Sequence, residues 1–462
     1  MTTSALQIVE LSTDELEIER YLLDLALQPI ESFDGFTMIE QYGLSALRYQ
    51  LSYLQYALAM AQYTRTPAFT GYLTEAQSNA IEKMRDKRVW NYWSHENLIG
   101  YQRWNPDPIV YHNVMYTGFY AAMLGLFESL NDGRFSEPGA LTLTWNDKQR
   151  FDYEFASVAE AIRRNMAASD HVMYPCEPRL IYPMCNAFAI SGLVMHDRLH
   201  GSSLTGDLVD RLRESLVDNK YLRPDGRFVS CRGPLRFSLP PAVGNDAIVS
   251  YWFHATMPEV SERTWDVIRE KFLKIADDDV KLRTELFDGL DPGNYARGDS
   301  MTRATVIATA NEMGDSEAAR AVENTLNERH EIIRKNGARR FDGLSTLANA
   351  AFALGRFTRE HSARNLILGE IPAEWRAGPI LAQAAYPDVL VARAVSDGRA
   401  LELVLVPGNG PRRTELRLER LQPNRSYTVS GAVTRDLTAD VRGGALLEVD
   451  LGGRREVTIA PL

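Results

Sequence analysis

Cysteine is scarce in this sequence, which has three in 462 residues. An odd and small number does not fit a disulfide-rich scaffold, so the thiols are predicted to be free. Cys176 and Cys185 are also too widely spaced to form the close pairs of ligands that hold structural zinc. The sequence therefore predicts neither a disulfide framework nor a metal site.

Excess positive charge and long apolar runs are missing as well, and no leader is expected. The formal net charge is -10, which argues against binding to nucleic acids or anionic membranes. No run reaches the roughly 18 apolar residues that a membrane helix needs, and the N-terminus lacks the basic and apolar segments of a signal peptide. We expect a cytoplasmic protein without a membrane span, whose partner is a small molecule.

Glycine motifs that bind phosphates are absent too. The sequence shows no dinucleotide fingerprint, no phosphate-cradling loop and no nucleophile elbow. Its balance of 45% hydrophobic and 24% charged residues is otherwise that of an ordinary globular protein. These absences predict chemistry without an organic cofactor.

Helical periodicity dominates the chain up to about residue 370, where apolar residues recur every three or four positions. Gly314 and Asp315 mark the end of one helix and the cap of the next. The pattern lacks alternating strands and favours helical hairpins stacked in a ring or superhelix. Helices are predicted at about 22–27, 43–62, 114–130, 151–165, 186–200, 206–218, 246–255, 262–276, 300–313, 316–335 and 344–362.

The period changes to two after about residue 385. Leucine and valine alternate with charged residues at 401–405, 415–419 and 447–451, which predicts strands. We therefore divide the chain into a helical domain, 1–385, and a small antiparallel β-domain, 386–462, which resembles a sandwich and is interpreted as a structural cap. Hairpin turns are predicted at Asp397-Gly398, Gly408-Asn409-Gly410, Gly443-Gly444 and Gly452-Gly453.

Tyrosines form a stripe on the second predicted helix. Tyr49, Tyr53, Tyr56 and Tyr63 are separated by four, three and seven positions, so they share one face. Two interpretations stay open: the stripe packs in the core, or it forms a phenol-lined wall of a pocket.

The stretch from Cys176 to Cys185 carries the strongest chemical signal. It joins two of the three cysteines to Glu177, and Pro178 and Pro183 restrict the backbone between them. A thiol or carboxyl held in an apolar pocket can acquire a pKa suited to acid or base catalysis. A buried cysteine that only fills space is the structural alternative.

The motifs around this stretch are similar to those of the bacterial linalool dehydratase-isomerase family. The similarity covers about 45–360 and leaves out the β-domain. Weaker matches occur at 312–315 and 341–343. The principal matches are Arg48-Tyr49, Lys-Arg-Val-Trp at 87–90 with Trp93, Asp-Pro-Ile at 107–109, Asn-Val-Met-Tyr-Thr-Gly at 113–118, Met-Leu-Gly-Leu at 123–126, Cys-Glu-Pro at 176–178, Cys185-Asn186 and Asp-Arg-Leu-His-Gly at 197–201.

This resemblance implies a mainly α fold, an (α/α)6 barrel whose deep apolar cavity holds a monoterpene alcohol. It implies loss of water from a tertiary allylic alcohol, or a shift of its hydroxyl, without metal or cofactor. It also implies a homo-oligomer in which a neighbouring subunit contributes to each active site. By motif position, Cys176 and Cys185 match the active-site cysteines, Tyr49 matches a pocket tyrosine, and Met115 matches a pocket methionine.

The chain departs from the family at two places. Phe119 occupies the position of the family's active-site histidine, which makes the pocket more apolar and presents a ring face to a cation. The family's aspartate and tyrosine from the neighbouring subunit have no counterpart at matching spacing. Glu31, Asp34 and Tyr42 lie nearby in the sequence.

Further candidates come from single residues. His112 could replace the missing base or lie in a surface loop. Asp246 could cap a helix or act as an acid in the cavity, and Cys231 is interpreted as inert because it matches nothing in the family. Substrate-binding residues are predicted at Tyr53, Met115, Tyr116, Phe119, Tyr182 and Trp252.

We therefore predict a cofactor-independent dehydratase, isomerase or cyclase that acts on a hydrophobic, terpenoid-like alkenol or polyene. Glu177 or Cys176 would protonate the substrate, and Cys185 or a neighbouring base would later remove a proton. The allylic cation formed in between would rest against Tyr49, Tyr53 and Phe119.

Two alternatives stay open. A carrier protein would bind the hydrophobic ligand without turning it over. A carbohydrate-active hydrolase or lyase would need a pair of carboxylates across an aromatic groove. The residues available for that groove are Trp90, Trp93, Trp104, Asp107, Asp246 and Asp299.

Overall fold

A computed structural model describes residues 8–38, 47–276 and 279–462. Tyr42, one of the residues considered above, lies outside these ranges. The helices of the described residues are α1 (Thr13–Ala26), α2 (Leu47–Arg65), α3 (Gly71–Lys83), α4 (Lys87–Trp90), α5 (Tyr92–Tyr101), α6 (Val114–Leu130), α7 (Phe155–Ala168), α8 (Pro183–His200), α9 (Leu208–Asp218), α10 (Val243–Phe253), α11 (Pro258–Lys271), α12 (Ser300–Glu312), α13 (Ser316–Arg329), α14 (Thr346–Phe357), α15 (Ser362–Leu368) and α16 (Ala373–Ala377).

Strands form short hairpins between the helices and two larger sheets near the C-terminus. The mixed, mainly helical fold with small antiparallel sheets agrees with the sequence prediction. The strands are β1 (Leu143–Asn146), β2 (Gln149–Phe151), β3 (Cys231–Arg232), β4 (Ser238–Leu239), β5 (Leu273–Ala276), β6 (Asp279–Leu282), β7 (Ile332–Lys335), β8 (Ala338–Phe341), β9 (Ile380–Gln383), β10 (Val389–Ser396), β11 (Leu401–Pro407), β12 (Arg412–Glu419), β13 (Ser426–Ser430), β14 (Asp436–Thr438), β15 (Ala445–Leu451) and β16 (Arg455–Pro461).

The helices α2, α6, α8, α10, α12 and α14 form an inner ring. Each packs against the next, and α14 packs against α2, so the succession of contacts closes. The helices α3, α7, α11 and α13 pack on the outside of this ring, each against the inner helix that precedes it. Within the described ranges, no helix combines the length and apolar content needed to cross a membrane.

Two predicted helices end earlier than expected. The helix predicted at 262–276 ends at Lys271, and the helix predicted at 316–335 ends at Arg329. Each is followed by a strand of a short hairpin. In the second hairpin, Lys335 pairs with Ala338 around Asn336 and Gly337, whose φ angles are 52° and 77°. This is the left-handed Asn-Gly turn that closes two-residue hairpins.

The β region is built from two antiparallel sheets. One has the order β10-β11-β16-β13-β14 and the other the order β15-β12-β9. The residues predicted to alternate do so, since Leu401, Leu403 and Leu405 are buried while Glu402 is exposed. The first strand, β9, begins at Ile380 and therefore lies before the boundary predicted at residue 386.

Three of the four predicted hairpin turns are wrong. Asp397-Gly398 does join two paired strands, β10 and β11. The segments containing Gly408, Gly443 and Gly452 instead connect strands that belong to different sheets. A glycine provides the bend whether the next strand pairs with the one before it or joins the other sheet. The sequence alone therefore does not distinguish a hairpin turn from a connection between sheets.

Backbone hydrogen bonds attach the β region to the helices. The amide of Leu11 donates to the carbonyl of Ala392 at 2.9 Å, and the amide of Ala68 donates to the carbonyl of Ala394 at 3.1 Å. Arg20 of α1 also donates to the carbonyl of Gly408 at 2.8 Å. The N-terminal segment, α1 and the segment that follows α2 therefore hold the two parts of the chain together.

Small residues allow α6 and α8 to cross closely. A Cβ added to Gly118 would lie 2.8 Å from the carbonyl oxygen of Cys185 and 3.2 Å from the Cβ of Ala189. A Cβ added to Gly192 would lie 2.6 Å from the Cβ of Ala121. The glycines therefore set the distance at which the first turns of α6 and α8 meet.

The substitution Gly118→Ala should lower stability, because the new methyl group would overlap the backbone of Cys185. Overpacking of this kind costs about 1–3 kcal/mol. Thermal and denaturant unfolding measure the loss. Gly289→Ala is the matched control, since a Cβ at Gly289 meets nothing within 4 Å. Equal unfolding midpoints for the two variants would contradict the crossing described here.

The variant Glu19→Gln should change the pH dependence of stability. Burial and the neighbouring Glu15 raise the pKa of Glu19 from 4.5 to about 8. The unfolded chain therefore ionises Glu19 first, and stability falls as the pH rises from about 4.5 to 8, by about 1.4 kcal/mol per pKa unit. Unfolding midpoints at pH 5 and pH 8 should lie closer together in Glu19→Gln than in the wild type. The exposed Glu160→Gln should leave the wild-type gap unchanged.

Candidate functional site

The segment from Cys176 to Leu180 folds into a tight turn, called here the cysteine turn. The amide of Leu180 donates to the carbonyl of Glu177 at 3.0 Å, and the amide of Cys176 donates to the carbonyl of Leu180 at 2.9 Å. Pro178 fixes the second turn position, and Arg179 follows with a φ of 67°. Proline followed by a positive φ is the pattern of a type II turn. A non-glycine residue in that position is strained, and strained residues cluster at functional sites.

Cys185 lies in the first turn of α8, which begins with Pro183. Asn186 ties this turn to the chain before Cys176, because its side chain accepts from the amide of Tyr174 at 3.0 Å and donates to the carbonyl of Tyr174 at 3.1 Å. The Tyr174 hydroxyl meets Thr117 of α6 at 2.7 Å. These polar contacts bring the two cysteines to the same place.

The two thiols are neighbours, and both are buried, with 1% and 2% of their surfaces exposed. Burial raises the pKa of the Cys176 thiol well above its ordinary value, and the contact with Cys185 raises it further. Cys176 is therefore a neutral thiol at physiological pH. This arrangement suits a proton donor better than a nucleophile, which has to be a thiolate.

A set of aromatic rings, called here the aromatic wall, connects α2, α6, α8 and α10 inside the ring. Phe119 stacks on Phe188 with centroids 4.0 Å apart, and Tyr49 lies 5.0 Å from Phe119. Phe188 also lies 4.5 Å from Trp252. The members of the wall are Tyr49, Tyr53, Tyr56, Phe119, Phe188 and Trp252.

The aromatic wall contains most of the predicted tyrosine stripe. Tyr53 and Tyr56 contact Phe188, and the Tyr56 hydroxyl donates to the carbonyl of Phe119 at 2.8 Å. Tyr63 lies elsewhere, with its hydroxyl on the carbonyl of Glu370 at 3.0 Å. Phe188 escaped sequence reasoning, although it follows Cys185 by three positions and so shares its helical face.

Arg48 is a buried cation beside these groups, and sequence reasoning noted only its motif. Its guanidinium lies 3.9 Å from the ring centroid of Tyr92 and 4.7 Å from that of Tyr49. Its Nη2 lies 3.3 Å from the sulfur of Met115. Burial alone lowers the pKa of Arg48, but Tyr92, Tyr49 and the Glu177 carboxylate together raise it. Arg48 therefore stays charged, and Glu177 is one of its neighbours.

Met115 and Tyr116 occupy different sides of α6. The Tyr49 hydroxyl donates to the Met115 sulfur at 3.5 Å, so Met115 lies beside the aromatic wall. The Tyr116 hydroxyl instead donates to the carbonyl of Met84 at 2.8 Å. Consecutive residues of a helix point about 100° apart, so the structure directs Tyr116 toward the end of α3.

His112 supports the cysteine turn from outside. The amide of Arg179 donates to the Tyr101 hydroxyl at 3.2 Å, and that hydroxyl lies 2.6 Å from Nδ1 of His112. Burial lowers the pKa of His112 to about 4, so the ring that shares this hydrogen bond with Tyr101 is neutral. The ring also stacks on Tyr111 at 3.9 Å. The structure places His112 behind the turn, with Tyr101 between them.

Asp246 does not cap α10, which corrects one of its two predicted roles. Its carboxylate accepts from Nε of Arg227 at 2.6 Å and from the amide of Phe228 at 2.8 Å. Asp288 takes the cap position and accepts from the amides of Val243 and Gly244. Burial raises the pKa of Asp246 to about 7, against the opposing effect of Arg227.

Tyr182 and Cys231 adjoin the cysteine turn. Tyr182 is half-buried immediately before α8, and its neighbours include Glu177, Cys176 and Cys231. Cys231 is fully buried. All three cysteines of the chain therefore converge on one place, which the sequence did not indicate. In the part of the chain that the structure describes, no three His, Cys, Asp or Glu side chains are arranged to hold a metal ion.

Several solved structures are similar to this chain at low sequence identity. Unsaturated glucuronyl hydrolase of Bacillus sp. GL1 is 12% identical with a TM-score of 0.45, over 74% of this chain and 94% of that chain. Cellobiose 2-epimerase from Bacillus thermoamylovorans B4167 is 11% identical with a TM-score of 0.43, over 74% and 98%. The GH76A alpha-1,6-mannanase from Salegentibacter sp. HEL1_6 is 8% identical with a TM-score of 0.46, over 77% and 100%. Similarity at this level does not transfer an activity.

A sequence profile described as linalool dehydratase/isomerase matches residues 48–347. The matched range begins at Arg48, contains both cysteines of the site, and ends within α14, before the β region. It spans well over half of the chain. The chain therefore belongs to the linalool dehydratase/isomerase family, and this membership supports an activity of the lyase or isomerase type.

Proposed function

We propose that this protein is a cofactor-independent lyase or isomerase that removes water from, or moves the hydroxyl of, a hydrophobic terpenoid-like alkenol. The inner ring of helices would form the core of an (α/α)6 barrel, with the site at the end where those helices begin. The observation that carries the proposal is the buried pair of thiols, Cys176 and Cys185, beside the aromatic wall. Family membership supports the reaction type.

Cys176 is the proton donor in this reaction. Its thiol is neutral because burial raises its pKa, so it can give a proton to the substrate hydroxyl. The carbon–oxygen bond then breaks, the electron pair leaves with the water molecule, and an allylic cation remains. Glu177, the other donor considered from the sequence, serves this step as a neighbouring negative charge.

Cys185 completes the proton balance. As Cys176 loses its proton to the leaving water, the Cys185 thiol passes its own proton across their shared contact to Cys176. The Cys185 thiolate then removes a proton from the carbon next to the cation, which forms the new double bond. Both thiols end the cycle protonated, so no external acid or base is consumed. For a hydroxyl shift, water instead adds to the other end of the allylic cation and gives its extra proton to the Cys185 thiolate.

The aromatic wall stabilises the cation. The faces of tyrosine, phenylalanine and tryptophan rings attract a positive charge, by about 0.5–2 kcal/mol each when desolvated. The charge of Arg48 opposes this attraction, but Glu177 lies close enough to raise the pKa of Arg48.

The carboxylates available to a carbohydrate-active enzyme are already engaged. Asp107 accepts from the Tyr153 hydroxyl at 2.6 Å, Asp246 binds Arg227, and Asp299 binds Arg303 at 2.9 Å. Trp90 and Trp93 are fully buried and cannot stack on a sugar. These contacts favour the alkenol over a glycan substrate.

Replacing both cysteines should abolish turnover without unfolding the protein. General acid and base catalysis each contribute about 10²–10⁴-fold, so Cys176→Ala/Cys185→Ala should lose at least this factor in kcat. Far-UV circular dichroism should stay helical. Met166→Leu is the control, because it replaces a buried sulfur-containing side chain that lies in α7, away from the site. Full activity in the double cysteine variant would rule out the mechanism.

A substrate panel separates the proposed function from its alternatives. Purified protein should convert tertiary allylic alcohols of monoterpene size to polyenes or to isomeric alcohols, detected by gas chromatography with mass spectrometry. The same preparation should release no reducing sugar from glycans. Sugar release would support the hydrolase instead, and tight binding of the alcohol without any product would support a carrier.

A further inference from the structure

The motif Asp-Arg-Leu-His-Gly at 197–201 lies far from the thiols. Cys185 belongs to the first turn of α8 and Arg198 to the last. At a rise of about 1.5 Å per residue, the two positions are about 20 Å apart. Arg198 instead lines a cavity of about 200 Å³, where the ends of α6 and α8 meet α16 and the β region. The proposed reaction gives this cavity no role.

Three arginines line this cavity, which is called here the arginine pocket. Arg198 extends from α8, Arg376 lies in α16, and Arg420 follows β12. Among the described residues that line the pocket, Glu128 is the one carboxylate. Three positive charges against one negative leave a formal charge of +2, in a protein whose net charge is -10. The pocket therefore has the opposite charge to the chain as a whole.

Arg198 is held in place by neutral acceptors. Its Nε donates to the carbonyl of Ile367 at 3.2 Å. Its Nη2 donates to the Ser129 hydroxyl at 2.5 Å and to the carbonyl of Leu366 at 3.4 Å. Gly369 makes room for the guanidinium, since a Cβ there would lie 2.7 Å from Nε and 2.9 Å from Nη1. The guanidinium is therefore fixed in position, and none of these partners carries a negative charge.

Arg376 and Arg420 follow the same pattern and are exposed. Nη2 of Arg376 donates to the carbonyl of Gly369 at 3.0 Å, and Nη1 of Arg420 donates to the carbonyl of Arg376 at 3.0 Å. Within the described ranges, the guanidinium groups of the pocket thus bond only uncharged oxygen atoms. Each guanidinium has five N–H groups, so both exposed arginines keep donors for a ligand.

Capping of helix ends is the structural alternative for these arginines. The carbonyls of Leu366, Ile367 and Gly369 lie at the end of α15, where basic side chains often donate hydrogen bonds. A helix end carries about half a negative charge, which leaves most of the three positive charges. Burial lowers the pKa of Arg198 to about 10, and Arg376 contributes to the decrease. The cationic form of Arg198 is thus destabilised, which a bound anion would reverse.

The arginine pocket also contains apolar side chains. Leu199 and Trp375 line it together with the arginines. Glu128 is engaged by other groups, because its carboxylate accepts from the Ser136 hydroxyl at 2.6 Å and lies 3.2 Å from Nε2 of His200. A ligand therefore meets cationic donors beside an apolar surface.

We propose that the arginine pocket binds a small phosphate ester, whose phosphate group contacts the three arginines and whose organic group packs on Leu199 and Trp375. Guanidinium groups are planar forks that bond two oxygens of a phosphate at once. A phosphate monoester carries a charge of about -1.5 to -2 at pH 7, which balances the charge of the pocket. The bound ester connects the helical ring to the β region. This site shares no residue with the proposed reaction and does not depend on it.

The first test compares ligands by isothermal titration calorimetry and thermal unfolding of the full chain, at constant ionic strength. Phenyl phosphate should bind at one site per chain and raise the unfolding midpoint until the site is saturated, because a ligand of the folded state stabilises it. Inorganic phosphate, which lacks the apolar group, should bind more weakly, and the monoanion acetate more weakly still. Equal affinity for phenyl phosphate and acetate would overturn the assignment to phosphate. Equal affinity for phenyl phosphate and inorganic phosphate would overturn the ester.

Variants of the exposed arginines locate the binding. Arg376→Gln and Arg420→Gln should each weaken the binding of phenyl phosphate by about tenfold, as expected when a charge-assisted hydrogen bond is lost. Arg413→Gln is the matched control. It also removes an exposed arginine of the β region, but Arg413 pairs with Glu448 outside the pocket. Its affinity should equal that of the wild type.

The variant Glu128→Gln tests the charge balance in the opposite direction. It should bind phenyl phosphate more tightly than the wild type, because it removes the negative charge of the pocket. Arginines that only cap α15 would give no binding in any variant. The proposal would be overturned if phenyl phosphate raised the unfolding midpoint no more than sodium chloride does. Equal affinity in the wild type, Arg376→Gln and Arg420→Gln would overturn it as well.

Discussion

The close approach of α6 and α8 at Gly118 is the contact on which the rest of the site depends. Because Gly118 has no side chain, the carbonyl of Cys185 comes within 2.8 Å of the position that a Cβ would take. That distance lets Phe119 stack on Phe188 one turn further along and brings Met115 toward the beginning of α2. The first turns of three inner helices thus meet around two thiols. The cysteine turn, anchored by Tyr101 and Asn186, supplies the second thiol.

Burial then decides the chemistry of the groups collected there. Thiols and phenols that are removed from water resist ionisation, so Cys176, Tyr49 and Tyr53 all have raised pKa values and remain neutral. Arg48 stays charged in the same surroundings because aromatic faces and Glu177 favour its cationic form. The outcome is a site in which neutral thiols and phenols lie beside the charged Arg48. Such a site suits acid and base chemistry on an uncharged, apolar molecule, and it shows why both halves of the proposed reaction can use thiols.

The sequence predicted the features that depend on residues close together in the chain. Helical periodicity, the alternating leucines of the β region and the cap at Asp315, which accepts from the amide of Ala318, follow from neighbouring residues. The family motifs located Cys176 and Cys185. What escaped prediction depends on distant partners: Asp288 caps α10 in place of Asp246, and Cys231 lies near the other two cysteines. Arg48 was hidden for the same reason, since its partners come from α5, α6 and the cysteine turn.

The exchange of oxygen with solvent tests the central claim most directly. The protein is incubated with a tertiary allylic alcohol of monoterpene size in water enriched in oxygen-18, and the recovered alcohols are analysed by mass spectrometry. If the carbon–oxygen bond breaks to give an allylic cation and water returns to it, the alcohols acquire the heavy isotope with wild-type protein. They should not acquire it with Cys176→Ala. Isotope-free alcohols recovered alongside isomer or polyene products would contradict an intermediate that the solvent can recapture, and equal labelling with Cys176→Ala would contradict the role of the thiol.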